Sequence, residues 1–171
     1  MSATTSPPRA VPRSWRRFSG RRATPTRTTS LPRRQVAWVP SPACARRSTT
    51  PGLAPSDIRQ VNAHGTSTPL NDAAESQAVA SLFGAPTPPV TSIKGVTGHP
   101  LGAAGALEAA AVLLSFQHAL IPPTANTTVL GDDIACDVVI GAPRPWTPGP
   151  TISNNFGFGG HNGSVILAPV S

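Results

Sequence analysis

The feature that most limits what this chain can become is a break in its character near residue 51. Residues 1–50 hold eleven arginines, from Arg9 to Arg47, and no Asp or Glu; Pro, Ser and Thr make up most of the rest. The stretch shows neither a 3.6- nor a 2.0-residue apolar period, so it cannot bury enough surface to offset its ordering entropy. A packed core must therefore come from residues 51–171, a length suited to a single domain. There the charge reverses, with Arg59, Lys94 and Arg144 set against seven carboxylates. The net charge of +7 thus describes the first fifty residues and not a basic domain.

Three readings fit residues 1–50. They form a disordered, solvated arm; or they are a targeting peptide, being rich in Arg and Ser and free of acids; or they are not native coding sequence. A GC-rich gene translated out of frame yields such an Arg/Pro/Ala/Thr mixture, and this third reading is favoured because ordinary sequence begins abruptly near Pro51.

From Pro51 onward, short apolar runs alternate with helical patterns. Val61–Ala63 reads as a strand ending at His64-Gly65. Asn71 or Asp72 caps a helix that Gly84 stops after Phe83, with Ala74, Ala78, Val79 and Leu82 at helical spacing. Val90–Ile93 reads as a short buried strand, and Gly98 to Gly102 open a long helix ending near Ala119, where Ile121-Pro122-Pro123 break it. Val138–Ile140, Thr151–Ser153 and Ser164–Leu167 read as further strands. Continuous apolar strands between helices indicate an α/β domain layered around a buried sheet. No apolar run reaches the roughly 18–20 residues needed to span a bilayer; the longest, Leu101–Leu114, contains Glu108.

Polar residues concentrate in three clusters at strand-to-loop transitions, where side chains project from a rigid scaffold. The first is Asn62-Ala63-His64-Gly65-Thr66-Ser67-Thr68-Pro69-Leu70-Asn71-Asp72, followed by Glu75. The second runs from Ser92 through Lys94, Gly98-His99 and Gly105, with Glu108 beyond. The third is Ser153-Asn154-Asn155-Phe156-Gly157-Phe158-Gly159-Gly160-His161-Asn162. In this order, with the loop Ile121-Pro122-Pro123-Thr124-Ala125-Asn126 between the last two, they resemble the β-ketoacyl-acyl-carrier-protein synthases of the thiolase-like superfamily. The likeness covers about 120 residues. The wording of the first cluster resembles the discrete, elongating synthases of bacterial fatty-acid synthesis.

The resemblance implies the C-terminal half of a layered αβαβα fold over residues 51–171, and a decarboxylative condensation. In that chemistry a cysteine thiolate takes an acyl chain from acyl-carrier protein, malonyl-carrier protein loses carbon dioxide, and the carbanion attacks the thioester. By resemblance His64 and His99 donate hydrogen bonds to the thioester oxygen as charge grows on it, each such donor being worth about 3–4 kcal/mol in the transition state. The resemblance assigns Lys94 to the same network, compatible with a buried ion pair to Glu108. It makes Thr66 and Thr68 lining residues of the phosphopantetheine tunnel. Phe158 becomes a mobile aromatic gate whose loop Gly157 and Gly159 let move; a core aromatic beside a tight turn is the competing reading. His118 and His161 receive no role.

The family's nucleophile lies in an N-terminal half, in an Ala-Cys setting at a helix start, and nothing here matches it. Cys44 sits among arginines without a strand-to-helix context, and Cys136 reads as a small core residue. The expectation is therefore a truncated or split synthase, inactive alone, with no stable dimer because the family's dimer contacts come largely from the other half. The expected partners are acyl-carrier protein and acyl and malonyl thioesters. No cofactor is expected beyond the phosphopantetheine that arrives on the carrier protein, and the setting is expected to be cytoplasmic. Two alternatives remain: a non-catalytic carrier-protein-binding or complementing subunit, and a polyketide-type ketosynthase fragment. No metal site is expected from His64, His99 and Cys136, which lack ligand spacing. Gly98, Gly102 and Gly105 lack dinucleotide-loop spacing, and nucleic-acid binding is not expected of an arm without aromatic interleaving.

If residues 1–50 come from a shifted frame, another reading frame of the DNA upstream of codon 51 encodes synthase sequence. Sequencing that region checks this, and finding none rejects it.

Overall fold

The computed structural model describes residues 53–170. The arm expected over residues 1–50, with Cys44, lies outside them. The core is a four-stranded sheet in the order β2-β1-β5-β6, where β1 is Gln60–Asn62, β2 Val90–Thr91, β5 Thr151–Phe156 and β6 Asn162–Leu167. Strand β1 is parallel to both neighbours, while β5 and β6 pair antiparallel over their whole length. A small antiparallel pair, β3 (Leu120–Ile121) with β4 (Arg144–Pro145), stands apart.

Side chains alternate across a strand, and in β5 this alternation assigns each face a helix. Ile152 joins Ile58, Val61, Ala63, Val79 and Val90 in one buried cluster beneath helix α1 (Pro69–Phe83). Thr151, Ser153 and Asn155 face the other way, toward helix α3 (Ala104–His118), whose Val112 and Phe116 pack on Leu167. The described residues thus form three layers: helix, sheet, helix. Burial of each fully enclosed aliphatic side chain contributes about 1.5–3 kcal/mol. The α3 face of the sheet is buried yet polar and internally satisfied: Asn62 Nδ2 donates to Ser153 Oγ at 3.1 Å, and Ser115 Oγ to Gln60 Oε1 at 3.3 Å.

Several boundaries differ from the sequence reading, each for a local reason. Helix α1 is capped by Thr68, because Pro69 takes the first helical position, where its missing N–H is no loss. The strand expected over Val90–Ile93 stops at Thr91; Ile93 instead caps a short helix, α2 (Lys94–Thr97). The expected strand at Val138–Ile140 is reduced to one bridge between Val138 and Val90, since the chain there also donates from Thr124 to the Val139 carbonyl and turns away. Strand β5 runs three residues further than expected because β6 pairs with it as far as Phe156. No described helix is long and apolar enough to cross a membrane.

The loop after β3 packs directly on α2. A Cβ at Gly95 would stand 2.1 Å from the Ala125 carbonyl oxygen, and Asn126 Nδ2 donates to the Gly95 carbonyl at 2.8 Å. Gly95→Ala should therefore displace this loop and lower stability by about 1–3 kcal/mol. Gly102→Ala, where a Cβ meets nothing within 4 Å, should be nearly neutral. Denaturant midpoints of the two variants check the contrast.

Candidate active site

Strand β1 delivers His64 to the end of the sheet, and a buried carboxylate holds it there. Glu75, nearly two turns into α1, receives the backbone N–H of His64 on one oxygen and that of Gly65 on the other, both at 3.0 Å. Asn154 Nδ2 donates to the same carboxylate at 3.2 Å, and Asn154 Oδ1 in turn accepts from Ser164. Burial pushes the Glu75 carboxyl above its ordinary value, against the pull of these donors. Gly65 adopts φ +38°, and a Cβ there would lie 2.6 Å from Ser92 Cβ. The turn therefore closes against Ser92, whose hydroxyl donates to the Gly65 carbonyl while its oxygen accepts from the Lys94 N–H.

The His64 ring is 5% exposed and packs edgewise on Phe156 and His99, each with ring centroids 5.3 Å away. Its Nδ1 accepts the backbone N–H of Phe156 at 3.4 Å. A neutral imidazole has one acceptor and one donor nitrogen, so this contact leaves the proton on Nε2. Burial, then the positive charge of Lys94, then His99 lower its pKa to about 4. His64 is thus a neutral donor near pH 7. His99, on the turn after α2 where Gly98 takes φ +66°, repeats the arrangement at the surface: its Nδ1 accepts the Leu101 N–H at 3.4 Å. The two rings thus stand edge to face, each with its Nδ1 taken by a backbone N–H.

Lys94 and Glu108 form a buried ion pair, 8% and 1% exposed. The second Glu108 oxygen accepts from the Asn155 amide. A buried charge needs such partners for every polar atom.

The remaining expected residues lie at the rim. The Thr66 and Thr68 hydroxyls bond each other at 2.9 Å on the exposed start of α1. Phe158 is completely exposed and packs into no core of the described residues. It sits on a turn in which Gly159 takes φ +74°, and Gly157 donates its N–H to the His161 carbonyl, where a Cβ would approach to 3.0 Å. Cys136 does not join the site. It packs against the cluster under α1, and burial pushes its thiol pKa up, away from thiolate. Among the described residues no three His, Cys, Asp or Glu side chains gather as a metal would require. The sequence noted Glu75 without a role and gave Asn154, Asn155 and Ser92 none; their partners are up to 79 residues away in the chain, a separation that no local pattern reveals.

Residues 27–128 match the family model described as the β-ketoacyl synthase, C-terminal domain, a match that begins inside the arginine-rich segment. The chain is 44% identical over 116 residues to the 3-oxoacyl-[acyl-carrier-protein] synthase 2 of Mycobacterium tuberculosis, covering 68% of this chain and 28% of that protein. With the Coxiella burnetii protein of the same name it shares 41% over 121 residues, covering 70% and 29%. Among solved structures, a β-ketoacyl synthase from Burkholderia phymatum superposes with a TM-score of 0.67 at 42% identity, covering 70% and 29%. A type II polyketide ketosynthase in complex with its acyl-carrier protein gives 0.74 at 26%, covering 79% and 34%. The chain spans 28–30% of the length of these curated relatives.

The electrostatics set two expectations. An NMR titration should place the His64 midpoint near 4, and Lys94→Met should raise it, because a positive neighbour is lost. A value depressed below the unfolded 6.5 means that the unfolded chain protonates first as pH falls. The His64 contribution to stability is thus present above 6.5 and lost on descent toward 4. Glu75, raised above 4.5, acts oppositely, contributing stability below 4.5 that is lost as pH rises through its folded value. Lys94→Met alone strands Glu108 and should cost about 3–5 kcal/mol, much of it recovered when Glu108→Leu is added. Denaturant melts of the single and double variants check this.

Proposed function

Because this chain belongs to the β-ketoacyl synthase family, as its C-terminal domain, we propose that its paired histidines serve the decarboxylative condensation of fatty-acid biosynthesis. The substrates are malonyl-carrier protein and an acyl thioester. The observation that carries the reading is the matched pair of imidazoles, each with Nδ1 occupied by a backbone N–H and Nε2–H left to donate. When the malonyl carboxyl leaves as carbon dioxide, its C–C bond electrons pass to the α-carbon and the thioester oxygen. Two ring N–H donors already held by backbone contacts meet that oxygen without reorganisation. A depressed His64 pKa suits the task, because an imidazolium would pair with the departing carboxylate and favour the reactant. Lys94 supplies part of the field that keeps His64 neutral.

In this reading Thr66 and Thr68 line the path of the phosphopantetheine arm, Phe158 gates it, and the arm arrives on the carrier protein, so the chain needs no cofactor of its own. The setting is cytoplasmic. Bond formation needs a thiolate, and Cys136 is unsuited by place and by pKa. Cys44 sits among arginines without a strand-to-helix context, so the nucleophile is assigned to another polypeptide segment, and the chain by itself forms no condensation product.

A complementing-subunit role is the second reading. It is favoured by the exposed Val96, Leu101 and Phe158 around the histidine loops, at 77%, 74% and 100% exposure, an apolar rim that another polypeptide would cover.

Incubating the purified chain with malonyl-carrier protein and measuring carbon dioxide release separates the two. Catalysis predicts release above the buffer rate, reduced about 100–1,000-fold by His64→Ala or His99→Ala. Release indifferent to both substitutions rejects the catalytic role in favour of the complementing one. A condensation product made by the chain alone overturns the assignment of the nucleophile to another segment.

A further inference from the structure

Among the described residues, Glu108 has one cation for its two carboxylate oxygens. Oε1 takes the Lys94 ammonium, and Oε2 takes the amide of Asn155 from β5. Both oxygens of a buried carboxylate need donors, and Lys94 serves just one. Asn155 packs against the helix beside Gly105, one turn before Glu108. A Cβ at Gly105 would stand 3.4 Å from the Asn155 amide nitrogen. The next residue of the strand, Phe156, gives its N–H to Nδ1 of His64. Two consecutive residues of β5, facing opposite sides of the sheet, therefore touch the two halves of the site.

We propose that Asn155 is a positioning residue for the histidine pair: its amide fixes the Glu108 carboxylate and, through it, sets the Lys94 ammonium relative to His64. This deepens the reading of His64 as a neutral donor and rests on it. The charges bearing on His64 are Lys94 on α2 and His99 on the following turn, with the Glu75 carboxylate of α1 holding its backbone. Glu108 acts on it through Lys94. Without the Asn155 amide, Glu108 turns toward other donors, Lys94 follows it, and His64 regains affinity for a proton. Aspartate at the same position keeps the shape, removes the donor and adds a second carboxylate competing for Lys94.

The test is an NMR titration of His64 in the full chain, without substrate, between about pH 3 and pH 8. Asn155→Leu and Asn155→Asp are each expected to raise the midpoint by about one unit, a tenfold gain in proton affinity, with Asp giving the larger shift. Asn155→Gln, which keeps an amide, should stay at the parent value. In a Lys94→Met/Glu108→Leu background, Asn155→Leu should move nothing. An unmoved midpoint in Asn155→Leu, or an equal shift in Asn155→Gln, overturns the proposal. So does a shift that persists in the double-variant background. Should Asn155→Asp fail to fold, the Leu and Gln variants decide alone. The readout needs no turnover, so absent decarboxylation would count against the proposed function and leave this result to stand or fall by itself.

Discussion

The site depends on a buried carboxylate that, among the described residues, pairs with no cation. Glu75 is held by two backbone N–H groups from one turn and an amide from β5. A charge removed from water is costly unless each oxygen has donors, so this one tolerates little displacement. It ties α1 to the end of β1 and to β5 at once. The His64–Gly65 turn cannot drift without stranding the carboxylate, and α1 cannot shift without releasing the turn. Burial raises the pKa of Glu75 while the donors oppose the rise, which expresses the same balance.

On that fixed turn, the backbone decides what the imidazole can do. One N–H, from Phe156, selects the tautomer, and enclosure with a nearby ammonium keeps the ring uncharged. His99 reaches the same tautomer through the Leu101 N–H while lying exposed. The same local device thus operates in two different environments. Its likeness across them shows that orientation comes from main-chain donors, and that burial adds the bias in charge. The Lys94–Glu108 pair contributes a field more than a contact. Its position is defined by Ser92 at the lysine backbone and Asn155 at the carboxylate.

The sheet explains how residues so distant in sequence converge. Parallel pairing of β1 with β2 and β5 brings the C-terminal ends of all three strands to one edge, where the loops carrying His64, the Lys94 helix and Gly157-Phe158 emerge. Ligand sites of α/β sheets gather at such an edge because every loop following a parallel strand opens there. Strand β6, antiparallel, returns the chain and closes the core at Leu167.

The sequence by itself determined the class and the placement of the chemistry. Glycine-bounded apolar runs alternating with helical patterns required an α/β layer structure, while His64, Lys94 and His99 were grouped only through the resemblance of the three polar clusters, in their order, to the synthase family. The elements rest on local signals: turn residues, periodicity and caps act over a few residues and are readable in line. Even there, Pro69 moved a cap and pairing with β6 lengthened β5, since a competing local preference or a distant strand had the last word. Only the tertiary structure decided which nitrogen of each histidine keeps its proton, that Glu75 clamps the turn, that Asn155 completes Glu108, and that Phe158 stands in solvent. Each of these is settled by a partner tens of residues away or by the amount of water left around a group. Neither quantity exists until the sheet has closed.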